Sequence, residues 1–356
     1  GTAQHVLIGG RTGSGKSTLF HILIAAAALA YHPDELELHL IDFKKGVEFQ
    51  AYGDGRLPHV RVLAMESDRE FGLDVLRHLD AEIARRGALF RSAGVQDLAG
   101  LRRSDGGGKK LPRILLLIDE FQELFTEDDG IAHEAALLLD RFVRQGRAFG
   151  MHVVLGSQTL GGAYAMARSS LGQMGVRIVL PCSDADAQLL LDEGNDGARH
   201  LRRPGDALYN DQAGRVDGNR PFQVCWLDEA GREAVLDQCA ALTRAAGWRP
   251  ARPPVIFAGG TPARWEDEPA LLAPVAIGEG ISAVIGQASA MAGAARLELP
   301  ASAGGNLLVV GNQRQAAAAT LAAVALGTAR GGGRVLVADG DGPEGSLAAI
   351  MVRFAG

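Results

Sequence analysis

This 356-residue chain lacks a basic excess, paired cysteines and any apolar run of membrane length. Lys and Arg number 36 against 42 Asp and Glu, a net charge of −6, so overall charge advertises no polyanion partner and a nucleic-acid site would have to be a local patch. Cys182, Cys225 and Cys239 are odd in number and have neither CxxC nor Cys/His spacing. That argues against a disulfide framework or a zinc site, and for free, mostly buried thiols in a reducing compartment. The longest apolar run, ILIAAAALAY at 22–31, is about half of what a membrane span needs. No signal-peptide pattern precedes the first strand, so a cytoplasmic protein is expected.

What is present suits a globular fold: 47% apolar residues supply a core and 22% charged residues an ordinary surface. The length suits two domains, or one large domain with an extension. HVLIGG (5–10) is a short apolar run of the kind a doubly buried strand requires, and STLFHILIAAAALA has helix-forming content. Between them Gly10-Arg11-Thr12-Gly13-Ser14-Gly15-Lys16-Ser17 satisfies GxxxxGK[ST] at every fixed position. Glycines there let backbone N–H groups turn toward a triphosphate, Lys16 reaches the β and γ phosphates, and the Ser17 hydroxyl ligates Mg²⁺. With Thr18, these residues form the expected ATP-binding set.

LELHLIDFKKGVEF (36–49) gives a second strand ending in Asp42, followed by Lys44 and Lys45. The segment from Glu66 to Arg103 reads as helical, with Arg85, Arg86 and Arg91 at its far end, where cations belong in any helix. Gly106 to Lys110 reads as an exposed loop. RILLLIDE then supplies a buried strand ending in two acids. Asp119 would hold magnesium through water, and Glu120 would polarise the attacking water. HVVLGSQ (152–158) ends in Ser157 and Gln158, of which Gln158 is the choice for contacting the γ phosphate or the water. Strands alternating with helices imply α/β architecture, with a mostly parallel sheet and its ligand at the strands' carboxyl ends.

HVLIGGRTGSGKS, LIDFKKGVEF, LPHV, EIARRGALFRSAGV, LPRILLLIDEF, GRAFGMHVVLGSQ, VRIVLPCSDADAQLLLDEG and RPGDALYND, in that order, resemble the motor domain of the FtsK/SpoIIIE family over roughly 4–212. That family belongs with the HerA-type ATPases and includes the EccC ATPases of type VII secretion. The resemblance implies a RecA-like P-loop ATPase, usually a hexameric ring, with a polymer threaded through it and an arginine from the neighbouring subunit completing the site. Arg147 is the first candidate for that arginine, with Arg144, Arg177 and Arg86 behind it. DNA translocases of the family would track duplex phosphates through basic pore loops. Arg102, Arg103, Lys109 and Lys110 could serve there, or simply form a solvated loop. EccC proteins drive protein export.

A faded second copy follows a Pro-rich linker. NLLVVG (306–311) aligns with HVLIGG, and RVLVADGDG (334–342) with HLIDFKKG. Ala316, Ala317 and Ala318 then stand where Gly15, Lys16 and Ser17 stand, which removes the phosphate clamp and a magnesium ligand. The expected organisation is an active ATPase domain at 1–250, a linker at 251–273 and a degenerate, truncated P-loop-like domain at 274–356. Both ends read as cut, so other segments would supply any attachment to the inner face of a membrane. The reading is Mg²⁺-dependent ATP hydrolysis coupled to moving a polymer, with duplex DNA favoured as cargo and EccC-like protein export as the alternative.

Overall fold

The computed structural model describes residues 4–44, 48–65, 68–104, 111–161, 169–257, 280–287, 291, 294–301, 305–310, 312 and 314–336. The chain divides into two compact units, Gly1–Gly260 and Thr261–Gly356.

In the first unit the described residues form one nine-stranded sheet. Its strands are β1 (Val6–Gly9), β2 (Leu36–Asp42), β3 (Val60–Ala64), β4 (Arg113–Asp119), β5 (Met151–Ser157), β6 (Val176–Val179), β7 (Asp206–Asn210), β8 (Asn219–Gln223) and β9 (Val255–Phe257). They lie in the order β8-β7-β6-β1-β5-β4-β2-β3-β9. From β6 to β9 all neighbours are parallel, and β7 and β8 add an antiparallel edge. The α/β class with a mostly parallel sheet is therefore as the sequence implies. Burial on both faces accounts for the apolar runs Ile114–Ile118 of β4 and Val153–Leu155 of β5.

Helices α1 (Lys16–Ala30), α2 (Arg69–Ser92), α3 (Leu98–Ser104), α4 (Gly130–Gln145), α5 (Asp184–Leu190) and α6 (Glu229–Ala245) connect these strands. Asp68, Asp129 and Asp228 cap α2, α4 and α6, each side chain accepting from a backbone N–H three residues on. The stretch expected as one helical segment is broken after Ser92, where Gly94 adopts φ 65° and ends the helix. Ile8, Phe20, Ile24, Leu38, Leu40 and Leu117 form the centre of the main core.

The segment expected as a linker contains β9. Val255, Ile256 and Phe257 pair with Val62, Leu63 and Ala64 of β3, covering an otherwise open sheet edge. Phe257 stacks on Phe71 with ring centroids 4.4 Å apart and planes at 14°. Residues 251–254 are described and exposed or half-buried, and 258–273 lie outside the described residues.

In the second unit, β10 (Gly280–Gln287) and β11 (Ala294–Pro300) form an antiparallel hairpin, and α7 (Arg314–Arg330) packs on it. The approach is close: a Cβ on Gly327 would lie 2.8 Å from the Ser282 carbonyl oxygen. Of the run expected as the copy's first strand, 306–311, the described residues 306–310 make no strand pairing among the described residues, and Leu308 and Val310 are each 85% exposed. Ala316, Ala317 and Ala318 lie near the start of α7, as Lys16 and Ser17 open α1. Gly311 and most of 334–342 lie outside the described residues.

Candidate active site

The phosphate loop runs from the carboxyl end of β1 into α1. Gly13 and Gly15 take φ of 76° and 102°, a left-handed region that glycine enters without a Cβ penalty. At Gly10 a Cβ would lie 2.6 Å from Ser14 Oγ and 2.9 Å from Leu180 Cβ. The turn before β7 braces the loop, with Gly205 N–H donating to the Ser14 carbonyl at 2.8 Å. Ser14 Oγ itself is buried and has no hydrogen-bond partner among the described residues. A glycine-rich turn that leads into a helix N-terminus and carries an orphaned buried hydroxyl is a fitting cradle for phosphate oxygens.

Strand register gathers the acids beside this loop. Asp42 is opposite Asp119, Asp119 is opposite Gly156, and Gly9 is opposite Ser157, so the carboxyl ends of β2, β4, β5 and β1 meet in one row. The Lys16 ammonium donates to Asp119 Oδ1 and to Glu120 Oε1, the latter at 2.7 Å. All three side chains are buried. Glu120 has φ 54° and ψ 47°, a left-handed conformation costly for a residue with a Cβ. The kink stands where the carboxylate turns to Lys16 immediately after the strand ends.

Glu120 Oε2 accepts from Gln122 Nε2 at 2.7 Å and from the Gln158 N–H at 3.1 Å. Thr12 donates its hydroxyl to Gln158 Oε1 at 2.8 Å, and Ser157 donates to Gln122 Oε1 at 2.7 Å. Burial pushes the Asp119 carboxyl up, and this outweighs the pull of Lys16. Burial also raises Glu120, but the Lys16 charge and three hydrogen bonds reverse the sign and hold it below the usual carboxylate range. Glu120 is therefore ionised at neutral pH.

A magnesium ion, implied by this type of loop, would find Ser17 and Asp119 as its protein groups. Among the described residues no cluster of three His, Cys, Asp or Glu is arranged to hold a metal by itself. That donor set suits magnesium, which keeps several waters and binds one or two protein groups together with substrate phosphates.

Lys16, Asp119, Glu120 and Gln158 are thus brought together. Arg147 is not. It lines a cavity of about 580 Å³ with Gln4, Asp97, Arg113 and His152, at the amino ends of the strands. The seven residues of β5 separate it from its own chain's phosphate loop by roughly 20 Å. Arg86 and Arg177 are corrected as candidates for an arginine acting in trans. Arg86 is 1% exposed and donates to Glu82 and the Phe149 carbonyl, and buried Arg177 donates to the Leu190 carbonyl. Arg144 is tied to Asp140 at 2.6 Å.

Arg102 donates to the Leu111 carbonyl, whereas Lys45, Lys109 and Lys110 lie outside the described residues. The cysteines are free, and Cys225 is exposed rather than buried. Residues that the motifs did not flag complete the site. Glu48 accepts from the Ser17 hydroxyl at 2.7 Å, Gln122 bridges Ser157 to Glu120, and Gly156 leaves room for Asp119.

Residues 1–162 match the model of the FtsK/SpoIIIE family. The match spans the phosphate loop, the Asp119–Glu120 strand end and Gln158. Among curated proteins, this chain is similar to the ESX-5 secretion system protein EccC5 of Mycobacterium tuberculosis, at 36% identity over 52% of the chain and 13% of that protein. It is also similar to the DNA translocase FtsK of Oceanobacillus iheyensis, at 27% identity over 68% of the chain and 30% of that protein. The chain therefore spans less than a third of either relative. The fold likeness includes EssC (ATPases 2 and 3) from Geobacillus thermodenitrificans, with a TM-score of 0.59 and 17% identity over 83% of this chain and 54% of that one. That share is more than the 260 residues of the first unit can supply, so the likeness extends into the second.

Proposed function

We propose that this chain is part of a ring-forming motor that hydrolyses ATP to ADP and phosphate and uses the energy to move a polymer. The observation that carries this reading is the Lys16–Asp119–Glu120 cluster at the carboxyl ends of β1, β4 and β5. An incoming triphosphate competes for the Lys16 ammonium, which now neutralises two acids. When Lys16 moves to the β and γ phosphates, Glu120 Oε1 is released to take a proton from the attacking water. Gln122 and the Gln158 N–H continue to hold Glu120 Oε2, so the base keeps its aim. A magnesium ion held by Ser17, and by Asp119 through water, would spread charge from the β and γ phosphates.

An arginine from a neighbouring subunit, in a ring that we take to be hexameric, completes the charge balance. Arg147 lies too far from its own site to serve there and remains our choice for the neighbour's. For cargo we favour a protein chain, on the strength of the EccC5 likeness and the tandem EssC fold likeness. Duplex DNA is the second reading, favoured by the FtsK relative that matches 68% of the chain. Either motor would work at the cytoplasmic face of a membrane. Among the described residues no helix is long and apolar enough to cross one.

The test is ATP turnover against protein concentration, with and without duplex DNA at two salt concentrations. Turnover should rise as subunits assemble, vanish in Lys16→Ala, and fall on the order of 10²-fold or more in Glu120→Gln while nucleotide still binds. Salt-sensitive stimulation by DNA would select the DNA reading over the protein one. Turnover indifferent to Lys16→Ala would sink both.

A further inference from the structure

Ser17 is the hydroxyl that the phosphate loop offers to a divalent cation, and its proton is already committed. It goes to Glu48 Oε1 at 2.7 Å. A serine that ligates a cation does so through an oxygen lone pair, keeps its proton and needs an acceptor for it. An ionised acceptor makes that bond stronger than a neutral one would, and directs the free lone pair.

Glu48 is fixed in place by its neighbours. Its backbone N–H donates to Asp42 Oδ2 at 3.3 Å, and the next residue, Phe49, is fully buried against Phe20 of α1 with centroids 5.8 Å apart. On its other side stands His21, whose Nε2 is 3.7 Å from Glu48 Oε2 and 3.4 Å from Arg232 Nη1. Burial, then the Arg232 charge, press His21 down to about 4, so the ring is neutral at pH 7. Arginine only donates, which makes Nε2 the acceptor and leaves the ring proton on Nδ1, 2.8 Å from Tyr52 Oη. A ring Nε2 without a proton cannot donate to Glu48 Oε2, so His21 does not compete with the Ser17 hydroxyl as a donor to this carboxyl group.

We propose that Glu48 is a positioning residue for the divalent cation: it accepts the Ser17 hydroxyl hydrogen bond, sets the oxygen lone pair toward the ion and raises the ion's affinity in the nucleotide complex. The inference rests on the ATPase reading above and assigns a further residue to that site. Asp42, at the end of β2, accepts from the backbone N–H groups of Lys44 and Glu48 and so holds the backbone that presents Glu48.

The test uses the full chain and a fluorescent ADP analogue, with magnesium titrated from an EDTA baseline, in wild type, Glu48→Ala and Glu48→Gln. In Glu48→Ala the magnesium needed for half-maximal response should rise on the order of tenfold, while affinity in EDTA stays at the wild-type value. Glu48→Gln keeps an acceptor oxygen and should recover most of the loss. Unchanged magnesium dependence in Glu48→Ala would overturn the proposal, as would equal weakening with and without magnesium, which marks a merely structural residue. A wild-type chain that binds no nucleotide would overturn the ATPase reading and this proposal with it.

Discussion

Asp42 is fully buried at the end of β2, and its carboxyl is pushed up to about 6 from an ordinary 3.8. Burial is the main cause, and the Asp119 and Glu48 charges add to it against two backbone N–H bonds. The folded chain thus holds this proton more tightly than the unfolded chain. The contribution of Asp42 to stability is complete below about pH 4 and is lost as pH rises through about 6. Two pH units correspond to about 3 kcal/mol. In Asp42→Asn the amide oxygen can still accept from Lys44 N–H without a charge to bury. Urea unfolding in EDTA should show this variant about 2 kcal/mol more stable than wild type near pH 7.5, with the gap closed near pH 4. A gap independent of pH would mean that ionisation of Asp42 is not what destabilises wild type. The meeting of Lys16 with Asp119 and Glu120 is legible in the sequence, because loop spacing and a strand end place all three at the carboxyl edge of the sheet. Burial of Arg86 against Glu82 and the Phe149 carbonyl, and of Arg177 against the Leu190 carbonyl, is not visible in sequence, where a buried arginine looks the same as an exposed one.

Elements impose constraints that no single residue announces. β5 runs between β1 and β4, and its Gly156 faces both α1 and the acidic strand end. A Cβ there would lie 2.5 Å from Phe20 ring carbon and 2.9 Å from Asp119 Oδ1. Gly156→Ala should therefore destabilise the first unit by about 1–3 kcal/mol through overpacking and lower ATP turnover by displacing Asp119. Gly130→Ala, at the start of α4 with nothing within 4 Å of its added Cβ, is the control and should be neutral or slightly stabilising. Equal denaturation midpoints for the two variants would show that β5 can shift to admit the methyl. Strands β1, β4 and β5 are readable as short apolar runs and β2 as a strand ending in Asp42, but their order in the sheet is not. Gly156 and Gln122 acquire roles only once β5 lies between β1 and β4, and Glu48 only once the chain after β2 meets α1, so contact between elements, absent from linear spacing, is what hides them.

At the scale of the whole molecule, the boundary between units is decided by three residues. Composition placed the end of the first domain near 250, because the Pro-rich run WRPARPPVIF reads as a linker. The sheet instead takes Val255–Phe257 as β9. Met65 N–H donates to the Phe257 carbonyl at 2.8 Å, and the Phe257 ring covers Phe71, which is fully buried. A chain cut at 250 loses this strand, uncovers one face of Phe71 and leaves β3 as an unprotected parallel edge. Removing one buried aromatic contact and a short strand should lower stability by about 2–3 kcal/mol, or the melting temperature by roughly 5 °C for a unit of this size. A chain cut at 260 keeps β9 and, with a continuous core of its own, should melt where the first unit melts in the full chain. Thermal unfolding of the two truncations, with light scattering to detect edge-driven association, distinguishes these cases. Identical melting and scattering would show that β9 is dispensable, and that the first unit ends where the prolines suggested.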